Sequence, residues 1–303
     1  MSSSAKDLLI TALHDLAWSQ WTELGVPGYT RRHADVLLDP EALILFTAAL
    51  SNSDKRLWDE SVAWCIQHGS SISISRLKNL LKIGLGSEDS FGEFASEVNQ
   101  ACQLRWPVKN KSQSLAPALS PENGNASAPA LDRPALLRLK LRAIFGVGTR
   151  ADILAELLYT PGKSAAQLAR IGYSKRQVAN TLDDLTRGGL LRRTREGNTH
   201  RFELFRTDIL DSIAGTIPSH TAPWIDCFQV LLAVLQLLEV HENKPQNMRA
   251  LVARRSLEKV SRCIERLRWQ APSSAQAKEL WPAISKWALA RAKHAAAGVP
   301  QST

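Results

Sequence analysis

Apolar residues recur at intervals of three and four over most of the chain, which is the spacing of one face of an α-helix. In the first hundred residues this pattern predicts four helices, which begin near Ala5, Pro40, Leu57 and Ile72. Asp39 is placed to cap the second helix, and Pro40 suits its first turn. The few basic residues of the fourth helix are expected to form an ordinary solvated face. We therefore predict a helical domain over residues 1–106.

The composition changes between residues 107 and 135. This segment contains five prolines among many Ser, Asn and Ala residues, and it has no apolar period. Such a composition favours extended, solvated backbone. We predict that residues 107–135 form a linker between two domains. The less favoured alternative is a long surface loop inside one domain.

The chain becomes helical again over residues 207–303. The apolar-periodic segments are Trp224–Val240, Met248–Trp269 and Ala275–Ala296. The first is broken by Gln236 and is too short for a membrane span, which predicts a buried helix. The second carries seven Lys and Arg residues. A solvated helix face is the favoured interpretation of that charge, and phosphate contacts or an acidic partner are the alternatives. The predicted fold class is mainly α.

Residues 136–206 combine a helical period with a strand period. An amphipathic helix is predicted from Thr149 to Leu158, and Ser164 can cap a short second helix. Gly172 then provides a tight turn, and Ser174 can cap a third helix. This order of helix, helix, turn and helix is typical of a helix-turn-helix.

The third helix presents two different faces. Val178, Leu182 and Leu185 lie within roughly 40° of one another around the helix axis, which predicts that they face the core. Long basic and amide side chains occupy the other face, where Arg can read guanine and Asn or Gln can read adenine. The predicted DNA contacts here are Tyr173, Ser174, Lys175, Arg176, Gln177, Asn180 and Arg187.

A period of two replaces the helical period after Gly188-Gly189. Two strands are predicted on either side of the turn Glu196-Gly197-Asn198, and their outward positions are rich in arginine. Three helices followed by a basic β-hairpin indicate a winged helix-turn-helix, whose wing contacts phosphates beside the recognition helix. The predicted wing contacts are Arg192, Arg193, Arg195, Asn198, His200 and Arg201.

Positive charge is concentrated in this middle region. The whole chain has a formal net charge of +9, and residues 138–206 hold fourteen Lys and Arg against six Asp and Glu. The remainder of the chain is therefore close to neutral. A basic island in a neutral chain predicts an anionic partner for that island, most simply nucleic acid.

The sequence from Ile144 to Asn198 resembles the winged-helix domains of ArsR/MarR-like bacterial transcription regulators. It is similar in particular to those encoded beside small nucleotidyltransferases in toxin–antitoxin-like loci. The resemblance rests on Phe145-Gly146, Arg150 and Ile153-Leu154 around the start of the first helix, and it covers only the central part of the chain. It implies a DNA-binding winged helix. The cysteine pairs that some ArsR-type sensors use for metals are not found here, so metal sensing is not implied.

Motifs for other chemistry are not found in the sequence. The four cysteines form no CxxC pair, and the single CxxH of Cys65 and His68 has no second ligand pair nearby. There is no GxSxG, Walker, HExxH or GxGxxG motif. We therefore expect no bound metal, no cofactor and no enzymatic activity. The first residues lack an export signal, which predicts a cytoplasmic protein with no membrane association.

These observations predict a DNA-binding transcriptional regulator. The expected partner is double-stranded DNA, bound by a homodimer that matches a palindromic site. The helical flanks are candidates for dimerisation or for binding a protein partner, and ordinary helical packing explains them equally well. The alternative function is an antitoxin or adaptor that acts mainly through protein–protein contacts, because winged helices also serve that purpose.

Overall fold

Helices account for most of the computed structural model, which describes residues 4–28, 32–50, 53–102, 105–108, 128–205, 207–273 and 277–298. The helices are α1 (Ala5–Trp21), α2 (Pro40–Ala49), α3 (Lys55–His68), α4 (Ile74–Lys82), α5 (Glu88–Ala101), α6 (Leu137–Phe145), α7 (Thr149–Tyr159), α8 (Ala165–Leu168), α9 (Lys175–Arg187), α10 (Thr207–Ala214), α11 (Trp224–His241), α12 (Gln246–Lys259), α13 (Ser261–Arg266) and α14 (Ala277–Ala296). The strands are β1 (Val36–Leu37), β2 (Leu191–Glu196), β3 (Thr199–Leu204) and β4 (His220–Thr221). Strand β1 pairs with β4 in parallel, and β2 pairs with β3 antiparallel. The predicted mainly α class is confirmed.

Side-chain caps explain where several helices begin. The predicted start of α2 is confirmed, since the Asp39 carboxylate accepts a hydrogen bond from the Ala42 amide at 3.1 Å and Pro40 occupies the first turn. In α1 the Ser4 hydroxyl accepts from the Asp7 amide at 3.2 Å, and the Asp7 carboxylate accepts from the Ser4 amide at 3.1 Å. Both arrangements satisfy amides that have no partner within their own helix.

The first and last helices share a single hydrophobic core. The apolar face of α1 packs against α14 and α11, and α11 also packs against α2. Phe46 of α2 stacks on Phe228 of α11 with 4.2 Å between the ring centroids. The separate domain predicted over residues 1–106 is therefore corrected, because the helices of residues 207–303 cover the apolar surface that it would otherwise expose.

The predicted linker over residues 107–135 is only partly described, and residues 109–127 lie outside the described residues. Its last eight residues, 128–135, pack against the rest of the described structure. The Leu38 amide donates to the Ala135 carbonyl at 3.1 Å, and Arg133 forms an ion pair with the buried Glu23. Ala135 and Leu136 are themselves part of the shared core. The predicted boundary is thus corrected, because this end of the segment is fixed by burial and pairing.

A second, smaller core belongs to a middle module that we define as residues 137–217. It gathers apolar side chains from α6, α7, α8, α9 and the β2–β3 hairpin. Leu210 and Ala214 of α10 also belong to it, so the predicted boundary at 206 falls several residues too early. Leu37 from β1 completes the cluster and joins it to the N-terminal helices.

Helix α11 is the one described helix that is long and apolar enough to cross a membrane, with a mean hydropathy of 1.4 over its 18 residues. Half of that window is buried within the structure. Phe228, Leu231 and Val234 are at most 1% exposed and lie in the shared core. The apolar character of α11 is thus accounted for by contacts with α1, α2 and α12.

The predicted basic helix over 248–269 is two helices. Helices α12 and α13 meet at Val260, and Arg268 follows α13 with a φ of 53°. This break redirects the basic side chains of α13 relative to those of α12.

Candidate nucleic-acid interface

Three helices and a hairpin form the surface on which the sequence-based contacts were expected. The short helix α8 and the turn at Gly172 separate α7 from α9, and Gly188-Gly189 leads directly into the hairpin. The hairpin is joined to the loop before α8, because the Phe202 amide donates to the Lys163 carbonyl at 3.0 Å and the Gly162 amide donates to the Phe202 carbonyl at 3.0 Å. The hairpin is thus held against the body of the middle module.

Helix α9 is amphipathic in the predicted direction. Val178, Leu182 and Leu185 are at most 3% exposed and lie in the second core. The opposite face is exposed to solvent and carries Lys175, Arg176, Gln177, Asn180, Asp183, Asp184 and Arg187. The core face therefore orients the polar face outward along the whole helix.

The start of α9 is a capping box. The Ser174 hydroxyl accepts from the Gln177 amide at 3.2 Å, and the Gln177 side-chain carbonyl accepts from the Ser174 amide at 3.2 Å. The Gln177 side-chain amide nitrogen keeps its donors for another partner, whereas its carbonyl is used by the cap. Both residues thus have a structural role in addition to the DNA contact predicted for them.

The prediction that Tyr173 contacts DNA is wrong. Tyr173 is only 5% exposed, and its hydroxyl donates to the Asp152 carboxylate at 2.9 Å. Its ring belongs to the second core. Burial and the nearby carboxylates of Asp152 and Glu41 raise the pKa of Tyr173 well above its ordinary value, so the phenol keeps its proton. Tyr173 anchors the turn instead of facing a partner.

The four arginines predicted to contact phosphate from the hairpin lie on its two faces. Arg193 is paired in register with Phe202, and Arg195 with His200, so these side chains share the face of the hairpin that continues the core. Arg193 reaches α9, where its guanidinium lies 3.5 Å from the Asp183 carboxylate. Arg195 Nε donates only to the Gly197 carbonyl at 3.0 Å.

The other two wing arginines occupy the opposite face and have carboxylate partners. Arg201 Nε donates to Glu196 at 2.7 Å, and Arg192 lies 3.9 Å from Glu203. Arg192 also lies over the Phe205 ring at 4.7 Å. The prediction that all four arginines form one phosphate clamp is corrected, because side chains alternate between the faces of a strand.

The remaining predicted contacts lie at the ends of the surface. Arg187 is in the last turn of α9 and donates to Asp184 at 2.5 Å. Asn198 and His200 are exposed at the tip of the hairpin. Lys175 and Arg176, in the first turn of α9, form no ion pair with another described residue.

A buried charge cluster joins the N-terminal helices to the middle module. Its six members are Asp39, Glu41, Arg76, Arg138, Arg142 and Asp152, each at most 6% exposed. Arg76 donates to Asp39 at 2.5 and 2.6 Å and to Glu41 at 2.6 Å. Arg142 donates to Glu41 at 2.6 and 3.0 Å and to Asp152 at 2.8 and 2.9 Å. Charges removed from water are stabilised in this way only when their hydrogen bonds are made.

Two carboxylates of this cluster, those of Asp39 and Asp152, stay ionised. Burial alone would raise the pKa of Asp39, but the Arg76 guanidinium and its hydrogen bonds lower that pKa to about 2. Burial also opposes ionisation of Asp152, and the neighbouring Arg142 and Arg138 hold its pKa well below the ordinary value. Asp39 and Asp152 therefore remain charged beside their arginine partners at neutral pH.

The turn that leads into α9 is clamped by α4. Arg76 Nε donates to the Ile171 carbonyl at 2.5 Å, and the Asn79 side-chain amide donates to the Gly172 carbonyl at 3.1 Å. Gly172 has a φ of +102°, and a Cβ there would lie 3.0 Å from both Arg76 and Leu80. The N-terminal helices thus fix the point from which α9 starts.

Sequence reasoning missed this clamp. The basic residues of the 72–83 segment were expected to be solvated, yet Arg76 is fully buried. The helical spacing does indicate this burial, because Arg76 lies four residues from both Ile72 and Leu80 and so shares their apolar face. The count of Lys and Arg over residues 138–206 also overstates the number of exposed cations, because Arg138 and Arg142 are members of the buried charge cluster.

Within the described ranges, no group of three or more His, Cys, Asp or Glu side chains is arranged to hold a metal ion. Comparisons with protein-family models, with curated proteins and with solved structures found no match to this chain.

Proposed function

We propose that this protein is a DNA-binding transcriptional regulator that uses a winged helix-turn-helix. The observation that carries the proposal is the exposed surface formed by the start of α9 and the hairpin face that bears Arg193 and Arg195. On this surface Lys175, Arg176 and Arg195 have no carboxylate partner among the described residues. Asn180 lies on the same exposed face of α9, and Arg193 reaches that helix at Asp183. Such a surface suits a polyanion.

The two parts of this surface have different roles in the proposal. Helix α9 enters the major groove with its N-terminal half, where Asn180 and Arg176 reach base edges. Arg193 and Arg195 bind phosphates beside the groove. Arg192 and Arg201 lie on the opposite face of the hairpin, where each has a carboxylate partner, and Arg201 also donates to Gln167 of α8 at 2.9 Å. The double-stranded partner and the homodimer remain part of the proposal.

The decisive experiment is a gel shift with the DNA upstream of the protein's own coding region, at two salt concentrations. If the surface binds phosphates, affinity falls as salt rises, with a slope of about 0.9 in log–log form for each phosphate contact. Arg195→Ala should lower affinity for all sequences and reduce that slope by about one. Asn180→Ala should change the sequence preference instead.

Arg255→Ala is the matched control, since Arg255 is an exposed arginine of α12 outside this surface. It should leave affinity and salt slope unchanged. Binding that is insensitive to salt, or that falls equally for Arg255→Ala and Arg195→Ala, would count against the proposal. The adaptor alternative predicts such insensitivity together with loss of a protein partner when apolar positions of the helical flanks are changed.

A further inference from the structure

A cleft of about 1530 Å³ is lined by residues of the N-terminal helices, the middle module and the C-terminal helices. Its lining includes the segment Ala169–Tyr173, which leads into α9, and residues of α11, α13 and the end of α12. Ordinary small-molecule sites occupy roughly 300–1,000 Å³, so a ligand of mononucleotide size would fill part of this cleft.

The lining of the cleft has an excess of positive charge. Arg266 is paired with Asp226 at 2.5 Å, and Lys163 is paired with Glu156. Four further cations of the lining form no ion pair with another described residue, namely Arg170, Lys259, Arg262 and Arg268. Glu239 is the only lining carboxylate for which the described residues show no cation partner. An anion entering the cleft would therefore meet free guanidinium groups.

Arg138 adds a buried donor to this lining. The residue is 5% exposed, and its Nε and Nη1 atoms are buried with no hydrogen-bond partner among the described residues. Its one ion pair with a described residue joins Nη1 to Asp152 Oδ2 at 3.3 Å, and that oxygen already accepts from Arg142 and Tyr173. Because a guanidinium carries five donors, Arg138 has capacity that the buried charge cluster does not use.

Apolar side chains line the cleft beside these cations. They include Ile83, Trp224, Ile225, Leu232 and Val260. A cleft that combines free guanidinium groups with apolar and aromatic surface suits a ligand with an anionic group and an apolar body.

We propose that this cleft binds a small organic phosphate that carries a ring, with Arg138, Arg170 and Arg262 holding the phosphate and the apolar wall holding the ring. Arg170 adjoins the turn at Gly172, so an occupied cleft touches the segment that positions α9. A bound ligand would thereby act on the position of α9 without contacting the exposed face of that helix. The binding itself does not depend on the proposed DNA-binding function.

Calorimetric titration of the full-length protein, without DNA, tests the proposal. The probes are adenosine 5′-monophosphate and phenyl phosphate, with inorganic phosphate and adenosine as the separated parts. We expect saturable binding of one site per chain by at least one of the two phosphate esters, tighter than either separated part. Arg170→Ala combined with Arg262→Ala should weaken it about tenfold or more, as expected for charge-assisted hydrogen bonds.

Arg255→Ala is again the control, because this arginine lies on α12 near the cleft but does not line it. Arg138→Gln tests the buried donor, and the exposed pair Arg170 and Arg262 supplies the answer if that variant does not fold. Absence of saturable binding by both esters at millimolar concentration would overturn the proposal. So would a loss of DNA affinity in the double variant with ester binding unchanged, since the cleft would then belong to the DNA contact.

Discussion

At the residue scale, burial decides the ionisation state of His33. The ring is fully buried, with Nε2 2.8 Å from the Ser19 hydroxyl, and it lies edge-on to Trp224. Burial, followed by the nearby charge of Arg32, lowers the pKa of His33 to about 4. The folded protein therefore keeps this histidine neutral at pH values where an unfolded chain would protonate it.

We predict that His33 makes the protein less stable as the pH falls from 6.5 to about 4. The unfolded chain binds a proton in this range and the folded chain does not, so the free energy of unfolding decreases, by on the order of 3 kcal/mol in total. Urea unfolding at several pH values measures this change. His33→Gln should show a flatter pH dependence than the native chain, whereas the exposed His294→Gln should not. Equal slopes for both variants would refute the assignment.

Helical periodicity predicts the burial of some individual residues but not the environment of others. The inward positions Val178, Leu182 and Leu185 follow from helical spacing alone, and the structure buries all three. The environment of Tyr173 does not follow from spacing, because its partner Asp152 lies on another helix. A contact between distant positions is set by tertiary packing, which a local pattern does not contain.

At the scale of elements, the turn between α8 and α9 depends on helix α4. Its carbonyls accept from Arg76 and Asn79, and its glycine has no room for a side chain. Gly189 provides a natural comparison. It also has a positive φ, of +74°, but nothing lies within 4 Å of a Cβ built there.

We predict that Gly172→Ala destabilises the protein more than Gly189→Ala. Each substitution places a β-carbon in left-handed backbone, which costs about 1 kcal/mol. Only Gly172→Ala also pushes against Arg76 and Leu80, so it should shift the start of α9. Chemical unfolding measures the stability of both variants, and the gel shift measures their DNA affinity. Equal losses in both assays would mean that α4 does not set the position of the turn.

The charge cluster allows a second test at this scale. Arg76→Met leaves Asp39 and Glu41 short of hydrogen bonds in a buried site, so we expect a loss of about 3–5 kcal/mol in the free energy of unfolding. Lys78→Met on the exposed face of the same helix should change it by less than about 0.5 kcal/mol. Urea unfolding of the two variants side by side checks the difference. A small loss for Arg76→Met would show that the cluster contributes little net stability.

At the scale of the whole molecule, helices from the N-terminal and C-terminal regions pack into one hydrophobic core. Helix α1 packs against α14, and α11 lies in the core formed with α2. The apolar faces of the first hundred residues are therefore covered by helices that follow the middle module. This arrangement makes the N-terminal region dependent on the C-terminal region for its core.

We predict that a fragment of residues 1–106 does not fold cooperatively by itself. It would expose the apolar faces that α11 and α14 cover, and so lose much of its hydrophobic stabilisation. Near-ultraviolet circular dichroism and thermal unfolding measure the loss of fixed packing. As a control, the full chain cut at a protease site placed within 109–127 should keep both pieces together on gel filtration. A sharp unfolding transition for the fragment alone would contradict the shared core.

The sequence by itself determined the helical class, the starts of several helices, the direction of the core face of α9 and the strand period of the hairpin. These features depend on neighbouring residues, whose spacing and capping act over a few positions. The apolar pattern did not predict helices α5 and α6. Only the tertiary structure decided that the terminal helices share one core, that Arg76 is buried and that the wing arginines divide between two faces. Those outcomes depend on which distant surfaces meet, because burial and ion pairing are properties of the assembled fold and not of any one segment.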